Sequence, residues 1–167
     1  MSLSELNALP VSQLKDALQR CCGSTRWVDG VAAHFPFEKE EDLYKEAELI
    51  WYDCNEEDWK EAFSHHPKIG DLEWLNEKSA ATSQWVEGEL AGVKYTTPQV
   101  LAALAAINNE YEEKFGYIFV VSASGMSAEE MLSLLTLRLL NSPEDEIIIS
   151  MEEQHKITLL RLSKLLS

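Results

Sequence analysis

His65-His66-Pro67-Lys68-Ile69-Gly70-Asp71 places two imidazoles directly ahead of a proline and a glycine, at the end of a helical segment. Histidine is the side chain whose unperturbed pKa lies closest to neutrality, so a fixed imidazole can give or take a proton at physiological pH. Pro67 fixes its own φ and biases His66 toward extended geometry, while Gly70 permits a turn that a side chain would obstruct. A stiff loop of this kind suits general acid–base chemistry. A capping or surface role is the competing reading, and the dipeptide alone does not say which histidine is presented.

Two carboxylates, Glu87 and Glu89, lie between Ala80 and Gly92. If that stretch is helical, Trp85, Val86, Leu90 and Val93 form one apolar stripe; at about 100° per residue Glu89 falls inside it and Glu87 well outside. A carboxylate among apolar groups needs a partner, and it has either a raised pKa or a strong hydrogen bond to offer a substrate. The alternative is a surface glutamate on a helix that frays near Gly88 and Gly92. Asn108, Asn109 and Tyr111 put polar groups near the apolar face of a long helix, where core and capping roles are the default. Tyr117-Ile118-Phe119-Val120-Val121-Ser122 is a compact β-prone run without strand partners, read as a buried extended linker. Its backbone groups, unsatisfied by any helix, can meet the polar edges of a heterocycle or neighbouring loops and water.

The elements that must hold these residues are helices. Leu14, Ala17, Leu18 and Cys21 mark one over about 11–22, stopped by Gly23. A short one follows over about 27–34. Leu43, Ala47, Ile50, Trp51 and Cys54 define the next, and Glu56 to Phe63 makes two turns with an acidic start. Thr97-Pro98 is a cap and first position for a long helix that Gly116 ends. Ser127 with Glu130 forms a capping box for a helix reaching Asn141, and Ser142-Pro143 starts the last. The expected fold is all-α, a single-domain helical bundle of about eight helices over residues 1–167.

Composition narrows the function classes. The 167 residues carry 29 acidic against 14 basic side chains, a formal charge of −15, which repels nucleic-acid phosphates and anionic membrane surfaces. An anionic small substrate stays compatible, because a pocket's field is set by nearby groups. Cys21, Cys22 and Cys54 show neither a CxxC spacing nor a two-pair zinc pattern, which reads as a reducing compartment without a structural metal. With no leader-like start, no bilayer-length apolar run and no terminal Ser-Lys-Leu, a cytoplasmic location is expected.

The chain resembles the OHCU decarboxylase family, the 2-oxo-4-hydroxy-4-carboxy-5-ureidoimidazoline decarboxylases of urate degradation. The likeness runs through Leu6-Asn7-Ala8-Leu9-Pro10, Cys21-Cys22-Gly23-Ser24 with Trp27-Val28, and Phe35-Pro36-Phe37. It continues in His66-Pro67-Lys68-Ile69-Gly70, Glu89-Leu90-Ala91-Gly92-Val93, Asn108 to Phe119 and Ser127 to Asn141. The resemblance implies an all-helical, homodimeric, cofactor-free enzyme that converts its small-molecule substrate to (S)-allantoin and carbon dioxide. It implies no metal. By position, His66 matches the catalytic histidine and Glu89 the family's glutamate. Pro67, Glu87, Leu90, Phe119, Val120, Val121, Ser122 and Ala123 fall where the family contacts substrate.

Three positions depart from the family pattern. Leu90 stands where the family has glutamine, Ser122 where cysteine is common, and Met126 closes a stretch that often carries a cation. Lys68 and Arg138 are the cations available to replace it. These changes leave a second reading beside the decarboxylase: a family member altered in substrate, or a helical binding module that has lost turnover.

Overall fold

Polar caps set where the helices begin. In the computed structural model, which describes residues 1–69 and 80–167, Ser2 and Glu5 close a capping box on α1 (Leu3–Asn7) and Asn55 and Asp58 another on α5 (Glu56–Phe63). Between them lie α2 (Val11–Cys21), α3 (Thr25–Ala32) and α4 (Glu40–Asp53). Ser24 accepts from the Trp27 N–H, and Glu61 accepts from both the N–H and hydroxyl of Thr25, so α3 starts two residues before Trp27. Helix α4 has no side-chain cap; Glu40, Glu41 and Asp42 face the positive end of its dipole instead.

Beyond the His-Pro loop come α6 (Ala80–Glu89), a 3-10 turn (Ala91–Tyr95), α7 (Pro98–Phe115), α8 (Ala128–Arg138) and α9 (Pro143–Leu165). Thr97 caps α7, Pro98 is its first residue, and Gly116 ends it in the left-handed region at φ 82°. The Ser127 half of the expected capping box forms, its Oγ accepting the Glu130 N–H at 3.1 Å. Nine α-helices and no strand occur among the described residues. The extra element is α1, too short to show a period. The turn expected at Gly70 lies outside the described residues.

The backbone forms two compact units, Met1–His65 with Gln154–Ser167, and His66–Glu153; α9 contributes to both. In the first, α3 packs against α2, α4 and α5 around Leu6, Leu18, Trp27, Leu43, Trp51 and Phe63. Each fully buried leucine or phenylalanine contributes about 1.5–3 kcal/mol. The indoles also find partners: Trp27 donates to the Ala47 carbonyl at 3.0 Å and Trp59 to that of Trp51 at 3.1 Å. Asn7 donates to the Phe37 carbonyl at 2.8 Å and accepts the Phe37 N–H at 3.1 Å, tying the chain start to the Phe-Pro-Phe loop. In the second unit, α7 packs on α8, which also meets the 3-10 turn. No helix among the described residues is long and apolar enough to cross a membrane.

Gly23 has a steric reason. A Cβ there would come within 2.5 Å of the His65 ring and 2.9 Å of its Cβ, so the imidazole lies against bare backbone. Gly23→Ala is therefore expected to lower stability by about 1–3 kcal/mol in chemical denaturation, as overpacked sites do.

The three cysteines are buried and free of disulfides. Burial pushes the Cys22 thiol up to about 12 and that of Cys54 up to about 11. From pH 9 upward the unfolded chain loses thiol protons that the folded chain keeps, so stability falls as pH rises toward those values. A thiol reagent at pH 8 is expected to leave the native protein unlabelled and to react with all three thiols in denaturant.

Candidate active site

His66 is half-buried and opens the second unit, followed by buried Pro67 and Ile69. His65 is exposed and packed on Gly23. The loop is pinned to α7. Asn108 Nδ2 donates to the Ile69 carbonyl at 3.4 Å and to that of Leu104 at 2.9 Å, and Lys68 pairs with Glu112 and donates to Asn109 Oδ1 at 3.2 Å. With Nδ2 serving two carbonyls, the orientation of the Asn108 amide is settled, and its buried Oδ1 meets no hydrogen-bond partner among the described residues.

Helical phase sorts the two carboxylates. Glu89 is 7% exposed and Val86 1%, whereas Glu87 is exposed. Two residues along a helix turn a side chain by about 200°, so the structure does not bring Glu87 to the buried face that holds Glu89. Trp85 and Leu90 are half-buried at its edge. The chain then tightens through Gly92, where a Cβ would stand 2.1 Å from the Met126 carbonyl oxygen. That approach, with Thr96 Oγ1 donating to Glu129 at 2.9 Å, joins the Glu89 segment to the start of α8.

Residues 119–123 form neither helix nor strand, and all but half-buried Ser122 are buried. Their support is a polar network. Arg138 Nη1 donates to the Val120 carbonyl at 2.7 Å, its guanidinium lies 4.5 Å from the centre of the Phe119 ring, and it pairs with Glu146 Oε1 at 2.6 Å. Glu146 also accepts from Tyr111 at 2.6 Å and from Asn141 at 2.9 Å. Burial, then the bond to Glu146, holds the Tyr111 hydroxyl in its protonated form, so it donates to Glu146. Ser150 Oγ, which accepts from Arg138 at 3.0 Å, is left to donate to Tyr111 across 3.1 Å. From the other side Glu153 Oε1 accepts the Ser122 N–H at 3.1 Å.

The cations expected to replace the one missing before α8 are thereby accounted for. Arg138 is bound to Glu146, Ser150 and Val120, and Lys68 to Glu112 and Asn109. Arg138 thus holds the Val120 backbone, and Lys68 ties the His-Pro loop to side chains of α7. Sequence reasoning missed Glu146, Ser150 and Glu153, although their spacing of four and three residues puts them on one face of α9. Among the described residues no group of three His, Cys, Asp or Glu side chains is placed to hold a metal ion.

A sequence profile described as OHCU decarboxylase matches residues 7–163. The uric acid degradation bifunctional protein TTL of Arabidopsis thaliana is 35% identical over 92% of this chain. The chain spans 47% of that protein's length, and 32% and 33% of two bifunctional relatives from Bacillus. A 2-oxo-4-hydroxy-4-carboxy-5-ureidoimidazoline decarboxylase of Haloferax volcanii is 24% identical, the match covering 98% of this chain and 95% of that one. The crystal structure of an OHCU decarboxylase in the presence of (S)-allantoin superimposes with a TM-score of 0.77 at 34% identity, covering 90% of this chain and 97% of that one. With the profile running across nearly all of its residues, the chain belongs to the OHCU decarboxylase family.

Proposed function

We propose that this protein is a carboxy-lyase that converts 2-oxo-4-hydroxy-4-carboxy-5-ureidoimidazoline to (S)-allantoin and carbon dioxide in urate degradation. The observation that carries the reading is the burial of Glu89 on α6, in the same compact unit as the half-buried His66. Of the two buried glutamates among the described residues, Glu146 is bound to Arg138, and Glu89 is the one at the family's glutamate position.

In this reading the bond from the ring carbon to the carboxylate breaks, carbon dioxide leaves, and the ring takes up the electron pair. His66 then protonates the electron-rich intermediate on one face, while Glu89 orients the hydroxyl or ring nitrogens. Delivery to one face gives a single enantiomer. Pro67, Leu90 and residues Phe119, Val120, Val121, Ser122 and Ala123 line the pocket, with Glu87 as an outer contact at its exposed edge. The reaction is cofactor-free. Residues 1–167 act as one domain, a reading supported by the single family match across both compact units, and the protein is assigned here as a cytoplasmic homodimer.

The direct test generates the substrate in situ from urate and follows its ultraviolet decay and the chirality of the allantoin formed. Acceleration over the buffer rate with one enantiomer in excess is expected; no acceleration would leave the chain as a binding module of the same fold. His66→Ala is expected to lower kcat by about 10²- to 10⁴-fold, the range of a lost general acid. His65→Ala should change it far less, and equal losses would contradict the assignment of His66.

Gly92→Ala offers a separate check on how the Glu89 segment is held. Its Cβ would strike backbone, which no rotamer change relieves. Thermal unfolding should show a loss of about 1–3 kcal/mol, accompanied by reduced turnover.

A further inference from the structure

Val120 and Ser122, two residues apart, both send main-chain groups to side chains that meet the same helix. The Val120 carbonyl is held by Arg138, itself bonded to Ser150 of α9, and the Ser122 N–H is held by Glu153, one turn further along α9. A two-residue repeat is that of an extended chain, in which the N–H and C=O of alternate residues face opposite edges. Val121 belongs to the other edge. It is buried at 7% exposure, yet no described residue takes its N–H or its C=O in a hydrogen bond. Buried main-chain groups are almost always paired, so this edge is suited to receive a partner.

We infer that Arg138 and Glu153 are positioning residues, a two-point clamp on one edge of the 119–123 segment that holds the Val121 N–H and C=O of the other edge toward a ureide. The inference rests on the proposed decarboxylase reading. A ureido group presents N–H and C=O side by side, the complement of a peptide's own donor and acceptor. Phe119, lying under the Arg138 guanidinium, fixes the segment's entry and prevents it from sliding in register. The clamp touches the backbone and not the substrate, so it governs binding more than proton transfer.

Glu153 is the clamp member to test first. It is half-buried, whereas removing Arg138 strands Glu146 without its partner and threatens folding. Glu153→Ala is expected to speed amide exchange in residues 119–123 by about tenfold with exchange in α7 unchanged, and to raise KM by about tenfold with kcat within about twofold. Glu153→Gln keeps an oxygen acceptor for the Ser122 N–H and should restore both values to within about twofold. Arg138→Lys, which keeps the charge beside Glu146 but not the fork of donors, should likewise raise exchange and KM. Unchanged exchange in Glu153→Ala overturns the clamp, as does faster exchange with unchanged KM, or a fall in kcat alone. If the unsubstituted protein shows no turnover, the decarboxylase reading fails, and affinity for (S)-allantoin replaces KM. Weaker allantoin binding by Glu153→Ala, restored in Glu153→Gln, then supports the clamp; equal binding overturns it.

Discussion

The second compact unit depends on one buried ion pair, Arg138 with Glu146. Both side chains are nearly inaccessible, at 5% and 0% exposure, so each has lost most of its water. Their attraction offsets that loss only because the remaining donors and acceptors are also matched. Oε1 of Glu146 receives Arg138 and Tyr111, Oε2 receives Asn141, and the rest of the guanidinium reaches Ser150 and the Val120 carbonyl. Breaking such a pair by removing one partner costs about 3–5 kcal/mol, because the other charge is left buried. The pair specifies an arrangement: α7, α8, α9 and the segment after Gly116 must each be in place for every group to be satisfied.

That arrangement is reinforced at the turn between α8 and α9. Lys114, near the end of α7, donates to the carbonyls of Leu139 and Asn141 at 2.6 and 2.9 Å, groups that the end of α8 leaves without a helical partner. The turn it braces carries Asn141 to within 2.9 Å of Glu146. Cation and carboxylate eight residues apart in sequence thus meet through a connection that a third helix holds. The backbone at Val120 inherits its position from this assembly.

Most helices were legible because their signals are local. Thr97-Pro98 and Gly116 bracket α7, the acidic run from Glu56 marks the start of α5, and the phase of Val86 against Glu89 separates the buried carboxylate from Glu87. Helix α1 escaped because five residues show no period. The role of Arg138 escaped for a different reason. An arginine in the last turn of a helix reads as a charge favoured there by the dipole or as a cation free for substrate, and only tertiary packing assigns it to Glu146 and Val120. Several short fragments that carry the family likeness have structural rather than chemical reasons. Asn7 reads both backbone groups of Phe37, Gly23 makes room for His65, and Gly92 for the Met126 carbonyl.

The same distinction between backbone and side chain bears on the positions that the sequence resemblance marks as departures from the family pattern. At Met126 the contact that matters to the fold is the main-chain carbonyl against Gly92, which any side chain at 126 supplies. At Ser122 it is the N–H bonded to Glu153, equally indifferent to serine or cysteine. Leu90 is the different case. Its N–H is engaged within the helix end, bonded to the Val86 carbonyl at 2.9 Å, so a glutamine's contribution there would have come from the side chain itself. An apolar group at that half-buried edge removes a donor and an acceptor without disturbing the frame. A site matched to a polar substrate loses discrimination when one of its polar groups is absent. In the proposed decarboxylase, any change of specificity is therefore expected to trace to Leu90, against a backbone scaffold held by Arg138, Glu146 and Glu153.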